Sequence, residues 1–124
     1  MKLNFRTENI EVSGETYAVN IPEGEIYVAA VYNDVQAAKT IYINFSDVLK
    51  EKLSLTQVEF ILNYQANYIE YQRRKNPNLV ELDKSNIEFL KQRIKSIGRS
   101  LSKDEILEIF HAESFYLKLI NVID

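Results

Sequence analysis

Ile26-Tyr27-Val28-Ala29-Ala30-Val31-Tyr32 and, after Asn33 to Lys39, Thr40-Ile41-Tyr42-Ile43-Asn44-Phe45 are the stretch on which the fold turns. The first run is almost continuously apolar and rich in β-branched and aromatic residues, so it reads as a central strand buried on both faces. The second has the same character and predicts another strand, with 33–39 as the connection. Upstream, Leu3 and Phe5 alternate with polar residues, as do Ile10 and Val12 before a turn at Ser13-Gly14-Glu15. Tyr17, Val19 and Ile21 alternate again up to Pro22-Glu23-Gly24, a second turn. Residues 1–45 thus predict a small, mostly antiparallel sheet of three to five strands.

Beyond Phe45 the apolar spacing changes from two to about 3.6, the helical period. Ser46 and Asp47 can cap a short helix through Lys52; Ser54 or Thr56 can cap the next, Thr56 with Glu59 as its complement. That second helix carries Leu55, Val58, Ile61, Leu62, Ala66 and Ile69 on one side and ends at Lys75, ahead of Asn76-Pro77. Asn78 to Asp83 reads as a connector. Asp83 or Ser85 caps a third helix with a narrow stripe of Ile87, Leu90, Ile94 and Ile97, closed by Gly98. Ser102-Lys103-Asp104-Glu105 opens a fourth as a capping box, with Ile106, Ile109, Phe110, Leu117 and Ile120 making it largely buried. The expected fold class is α+β: the N-terminal sheet packed on three to four C-terminal helices, a single domain over 1–124, strand-rich to 45 and helical from 46.

The chain has 124 residues, 46% hydrophobic and 27% charged, which suits one self-sufficient core. It contains no Cys and one His, which excludes a disulfide framework, thiolate metal clusters, a cysteine nucleophile and multi-histidine sites. The first residues carry no signal-peptide core, and no apolar run is long enough to span a bilayer. The expected location is therefore cytoplasmic or virion-associated, without membrane partners. A bias toward Ile, Asn, Lys and Tyr hints at an AT-rich source such as a phage or mobile element. The net charge of −3 is uneven: 1–49 holds three bases against seven acids, 73–103 nine bases against three acids. The basic block, with Arg73, Arg74, Lys91, Lys95 and Arg99 as candidate contacts, could meet a phosphate backbone or simply be a solvated surface.

The sharper clue lies in the helix at 54–75. Tyr64-Gln65-Ala66-Asn67-Tyr68 has the spacing of His-Glu-x-x-His, and each of the three differing positions is one base change away. Its flanks, Ile41-Tyr42-Ile43-Asn44, Leu53-Ser54-Leu55-Thr56 and Glu59-Phe60-Ile61-Leu62, are also familiar. Over roughly residues 26–120 the chain resembles a degenerate zincin-like metallopeptidase domain. In many such families a later Glu-x-x-Ala-Asp supplies the third zinc ligand; the nearest match is Ile109-Phe110-His111-Ala112-Glu113, with Ile109 at the ligand position. Residues i and i+4 share a helix face, so two imidazoles can hold one ion while the adjacent Glu acts as base. Tyr64, Gln65 and Tyr68 share that geometry without the chemistry: a phenol of pKa about 10 is a poor zinc ligand, and an amide accepts no proton from water.

The resemblance implies a pseudo-enzyme with no catalytic residues, no metal and no cofactor. Its expected role is a structural or protein-binding component, as in a phage particle or mobile-element assembly, with other protein subunits or copies of itself as partners. Tyr64, Gln65, Tyr68, Tyr71 and Ile109 form the candidate binding face. The alternative is a nucleic-acid-binding accessory protein using 73–103. Without the resemblance, Tyr64, Tyr68 and Tyr71 are an aromatic stripe packed between elements or on a partner. His111, beside Glu108 and Glu113, reads as a hydrogen-bonded core residue before an acid-base group.

Overall fold

A computed structural model describes residues 3–12, 14–75 and 83–121. Among these residues two strands lead into five helices: β1 (Phe5–Val12), β2 (Glu15–Pro22), α1 (Asp34–Ile43), α2 (Asp47–Lys52), α3 (Leu55–Lys75), α4 (Asp83–Ser96) and α5 (Lys103–Leu119). The architecture is α+β. The connector expected from Asn78, and the cap of α4, fall outside the described residues up to the first residue of that helix.

β1 and β2 form an antiparallel hairpin running from Phe5 opposite Pro22 to Val12 opposite Glu15, with Gly14 at φ +81° in the turn. Alternation puts Val19 and Ile21 on the inner face, buried with Phe115 of α5, while Thr16 and Ala18 face out.

The sheet has two strands among the described residues, not three to five. Thr40-Ile41-Tyr42-Ile43 ends α1, and Ile26–Tyr32 is an irregular strap with Ala30 at φ +62°. The third-strand position on β2 is taken by a side chain. Asn44 Oδ1 accepts from the Asn20 backbone N–H at 2.9 Å, Asn44 Nδ2 donates to the Asn20 carbonyl at 2.8 Å, and Asn20 Nδ2 donates to the Ile43 carbonyl at 3.1 Å. This amide pair satisfies that point of the sheet edge and ties it to the end of α1. The apolar composition of 34–45 has another cause: α1 packs against β2, α3 and α5, so Ala37, Ala38, Thr40, Ile41 and Ile43 are buried around the helix. A helix buried on several sides loses its amphipathic period and looks like a buried strand.

Local signals set the other helix ends. Ser46 caps α2 through the Leu49 N–H. At α3 the cap is Ser54, not Thr56: Ser54 Oγ accepts from the Gln57 N–H and Gln57 Oε1 from the Ser54 N–H, at 3.1 and 2.9 Å. Gly98, at φ +81°, closes α4, with the Arg99 N–H reaching the Ile94 carbonyl and the Gly98 N–H the Lys95 carbonyl. Ser102 and Glu105 form the capping box of α5. α1, α3, α4 and α5 pack in a ring, each against the next, around Ile41, Val58, Ile61, Leu90, Ile94, Ile106 and Ile109. No helix among the described residues is long and apolar enough to cross a membrane.

Candidate functional site

The five residues of the degenerate motif face do not converge. Tyr64 and Tyr68 turn toward α4: the Arg93 guanidinium lies 5.9 Å from the Tyr64 ring, and Tyr68 stacks on Phe89 at 4.3 Å. Gln65, a hundred degrees around α3, is buried toward α5, where its Nε2 donates to Glu113 Oε1 at 3.3 Å. Tyr71 is exposed, with Lys75 Nζ 4.7 Å above its ring. Ile109 is 1% exposed, a core residue. Among the described residues no three of His, Asp and Glu are grouped to hold a metal ion.

Gln65 and Glu113 instead mark a groove of about 770 Å³ between the C-terminal halves of α3 and α5, closed by Tyr32 and Asp34. Leu62, Ala66, Ile69 and Leu117 supply apolar walls, with Glu70, Arg73 and Arg74 toward the end of α3. Glu113 Oε2 accepts from the Tyr32 hydroxyl at 2.8 Å. Burial pushes the Glu113 carboxyl above its usual range, against the two hydrogen bonds that favour its charged form. Burial and the neighbouring Glu113 carboxylate push the Tyr32 phenol up as well. The sequence pattern does not single out Glu113 as a groove residue. Nothing in local spacing sets it apart from the other carboxylates of α5, Asp104, Glu105 and Glu108.

The second feature is the strap. Ile26, Val28, Val31, Tyr32 and Val35 are exposed, Ile26 to 81%, although the backbone beneath them is fixed. The Ala30 N–H donates to the Ile120 carbonyl, Gln36 Nε2 to the Ile26 carbonyl at 2.8 Å, and Tyr27 shares a hydrogen bond with Thr40 at 2.9 Å. The Tyr116 hydroxyl, under the strap, accepts from the Asn33 N–H and donates to Gln36 Oε1. A segment expected at the centre of a sheet is an outward-facing apolar surface.

No protein-family model matches the chain, and no curated protein or solved structure is measurably similar to it.

The basic residues are strung along the α3–α4 hairpin. The pairings of Tyr68 with Phe89 and Tyr64 with Arg93 make the helices antiparallel. Arg73 and Arg74 therefore lie at one end and Arg99 at the other, on the order of 20 Å apart. Arg74 is paired with Glu70 at 2.6 Å; Arg73, Lys95 and Arg99 are exposed, and Lys91 half-buried. His111, expected in the core, is exposed and meets Tyr17 and Phe115 edge-on at 5.4 and 4.7 Å. Glu108 accepts from the Ser46 N–H and hydroxyl, while Glu113 faces the groove. His111 thus has no catalytic constellation among the described residues.

Proposed function

We propose that this chain is a non-catalytic structural domain that docks protein through the strap at 26–35, and that the occupant is a second copy of the chain. The observation that carries this is the row of outward apolar side chains on a pinned backbone. Such a surface costs solvation in the free chain and is preorganised for a partner, since little ordering entropy remains to be lost on binding. Charge selects the occupant: Glu23 and Asp34 border the strap, while Arg93, Lys95 and Arg99 lie on α4 or just beyond it, on the side of the ring opposite α1. Two different surfaces meeting make a head-to-tail contact, which closes into rings or extends into filaments. A phage particle or mobile-element assembly is a setting for such a contact.

Sedimentation velocity over a concentration series tests the proposal. The wild-type chain should self-associate, and Val28→Asp with Val31→Asp should leave a folded monomer. A wild-type chain that stays monomeric throughout contradicts it.

The zincin-like resemblance enters as ancestry. The spacing at 64–68 supports it, as does the meeting of Gln65 with Glu113 on the later helix. The zincin-like fold belongs to the same proposal.

A second reading, nucleic-acid binding, is favoured by the alternation of Tyr64, Phe89 and Tyr71 with Arg93 and Lys75 on α3 and α4, since single strands bind where bases can stack beside cations. A single-stranded oligonucleotide should then bind at low salt and be lost with Arg93→Glu and Lys95→Glu; no binding at low salt dismisses it.

A further inference from the structure

The groove between α3 and α5, with a volume of about 770 Å³, joins an apolar wall of Leu62, Ala66, Ile69 and Leu117 to polar side chains at both ends. Its charges are divided: Glu70, Arg73 and Arg74 stand toward the end of α3, while the Tyr32 side holds the acids Asp34 and Glu113. Glu70 is neutralised by Arg74 at 2.6 Å, but among the described residues no cation lies within ion-pair reach of Glu113. Glu113 receives only the neutral donors Tyr32 OH and Gln65 Nε2. Gln65 brings a second unmet acceptor, because its Oε1 is buried with no hydrogen-bond partner among the described residues. A half-turn of the Gln65 amide points that oxygen at the Glu113 carboxylate, so two acceptors would face one spot.

Beside Glu113 and Asp34 an anionic group is repelled, and a neutral alcohol has a single proton to donate. An ammonium group carries a full charge and three donors with no acceptor of its own. We propose that the groove binds a primary alkylammonium group, its charged end on Glu113 and Gln65 beside Tyr32, and its aliphatic chain along Leu62, Ala66, Ile69 and Leu117. The chemistry is shared by a free aliphatic amine and by the side chain of a lysine.

The test is calorimetric titration of the full chain with hexylammonium, with Nα-acetyl-lysine amide and with hexanol, which keeps the alkyl chain and drops the charge. Either amine should bind about tenfold or more tightly than hexanol, the range set by a charged hydrogen bond. Tighter binding of hexylammonium assigns the free amine, tighter binding of the lysine derivative a lysine side chain. Glu113→Gln, a near-isosteric change, should abolish the preference for the amine over hexanol while circular dichroism shows the fold kept. Leu117→Asn should weaken hexylammonium and hexanol alike. Equal affinity for amine and alcohol, no binding of either amine, or an unchanged preference in folded Glu113→Gln would each overturn the assignment.

Discussion

A few polar side chains decide how this molecule is arranged. Tyr116 is the clearest case: fully buried in α5, its hydroxyl serves the Asn33 N–H at 3.1 Å and Gln36 Oε1 at 2.9 Å. Tyr116→Phe keeps the ring and leaves both groups without that partner, so it should cost about 2 kcal/mol in urea unfolding. Glu113 acts in the opposite sense. Burial holds its carboxyl above the usual range, so between the unfolded and folded values the folded chain binds a proton that the unfolded chain has released. Stability from this group therefore falls as pH rises through that window. Glu113→Gln should unfold at a higher temperature than wild type at pH 7, with the gap closing toward pH 4, as thermal melts at both pH values would show. Of the candidate site, Gln65 and Tyr71 were legible as polar or aromatic residues on a helix face. Glu113 and Tyr32 were not, because they are joined across the fold by a hydrogen bond that leaves no mark in local spacing.

At the scale of elements, legibility follows from where the signal resides. The hairpin, α2, α3, α4 and α5 declare themselves through turn glycines, caps and period, all set by neighbours in sequence. The Ser102–Glu105 box is the strongest of these, reinforced by Lys52 Nζ at 2.8 Å from Glu105. Ser102→Ala should lower stability by about 1 kcal/mol in chemical denaturation. α1 hides because contact with β2, α3 and α5 erases its amphipathic stripe. The strap misleads for a related reason. Ile26-Tyr27-Val28 has the composition of a buried strand, but Asn44 occupies the β2 edge at Asn20, where a neighbouring strand would pair. Apolar residues left on the surface then need a different account, and a docking face supplies one. Val28→Asp and Val31→Asp, at exposed positions, should each change the stability of the monomer by no more than about 0.5 kcal/mol, in contrast to their effect on assembly.

The whole molecule is asymmetric in charge. Acids border the apolar strap, and the bases of α4, Arg93 and Lys95, with Arg99 just beyond, lie on the side of the ring opposite α1. A contact built this way should weaken as salt rises, since charges at the rim are screened within about 10 Å at 0.1 M. The measurement that bears most directly on it is residue-resolved: backbone amide chemical shifts compared between dilute and concentrated protein. Shifts that move together at 26–35 and on the outer face of α4, and stay fixed around the core at Ile61, Ile94 and Ile109, are the predicted result. Amides that do not move with concentration, or movement confined to surfaces away from the strap, would contradict the account.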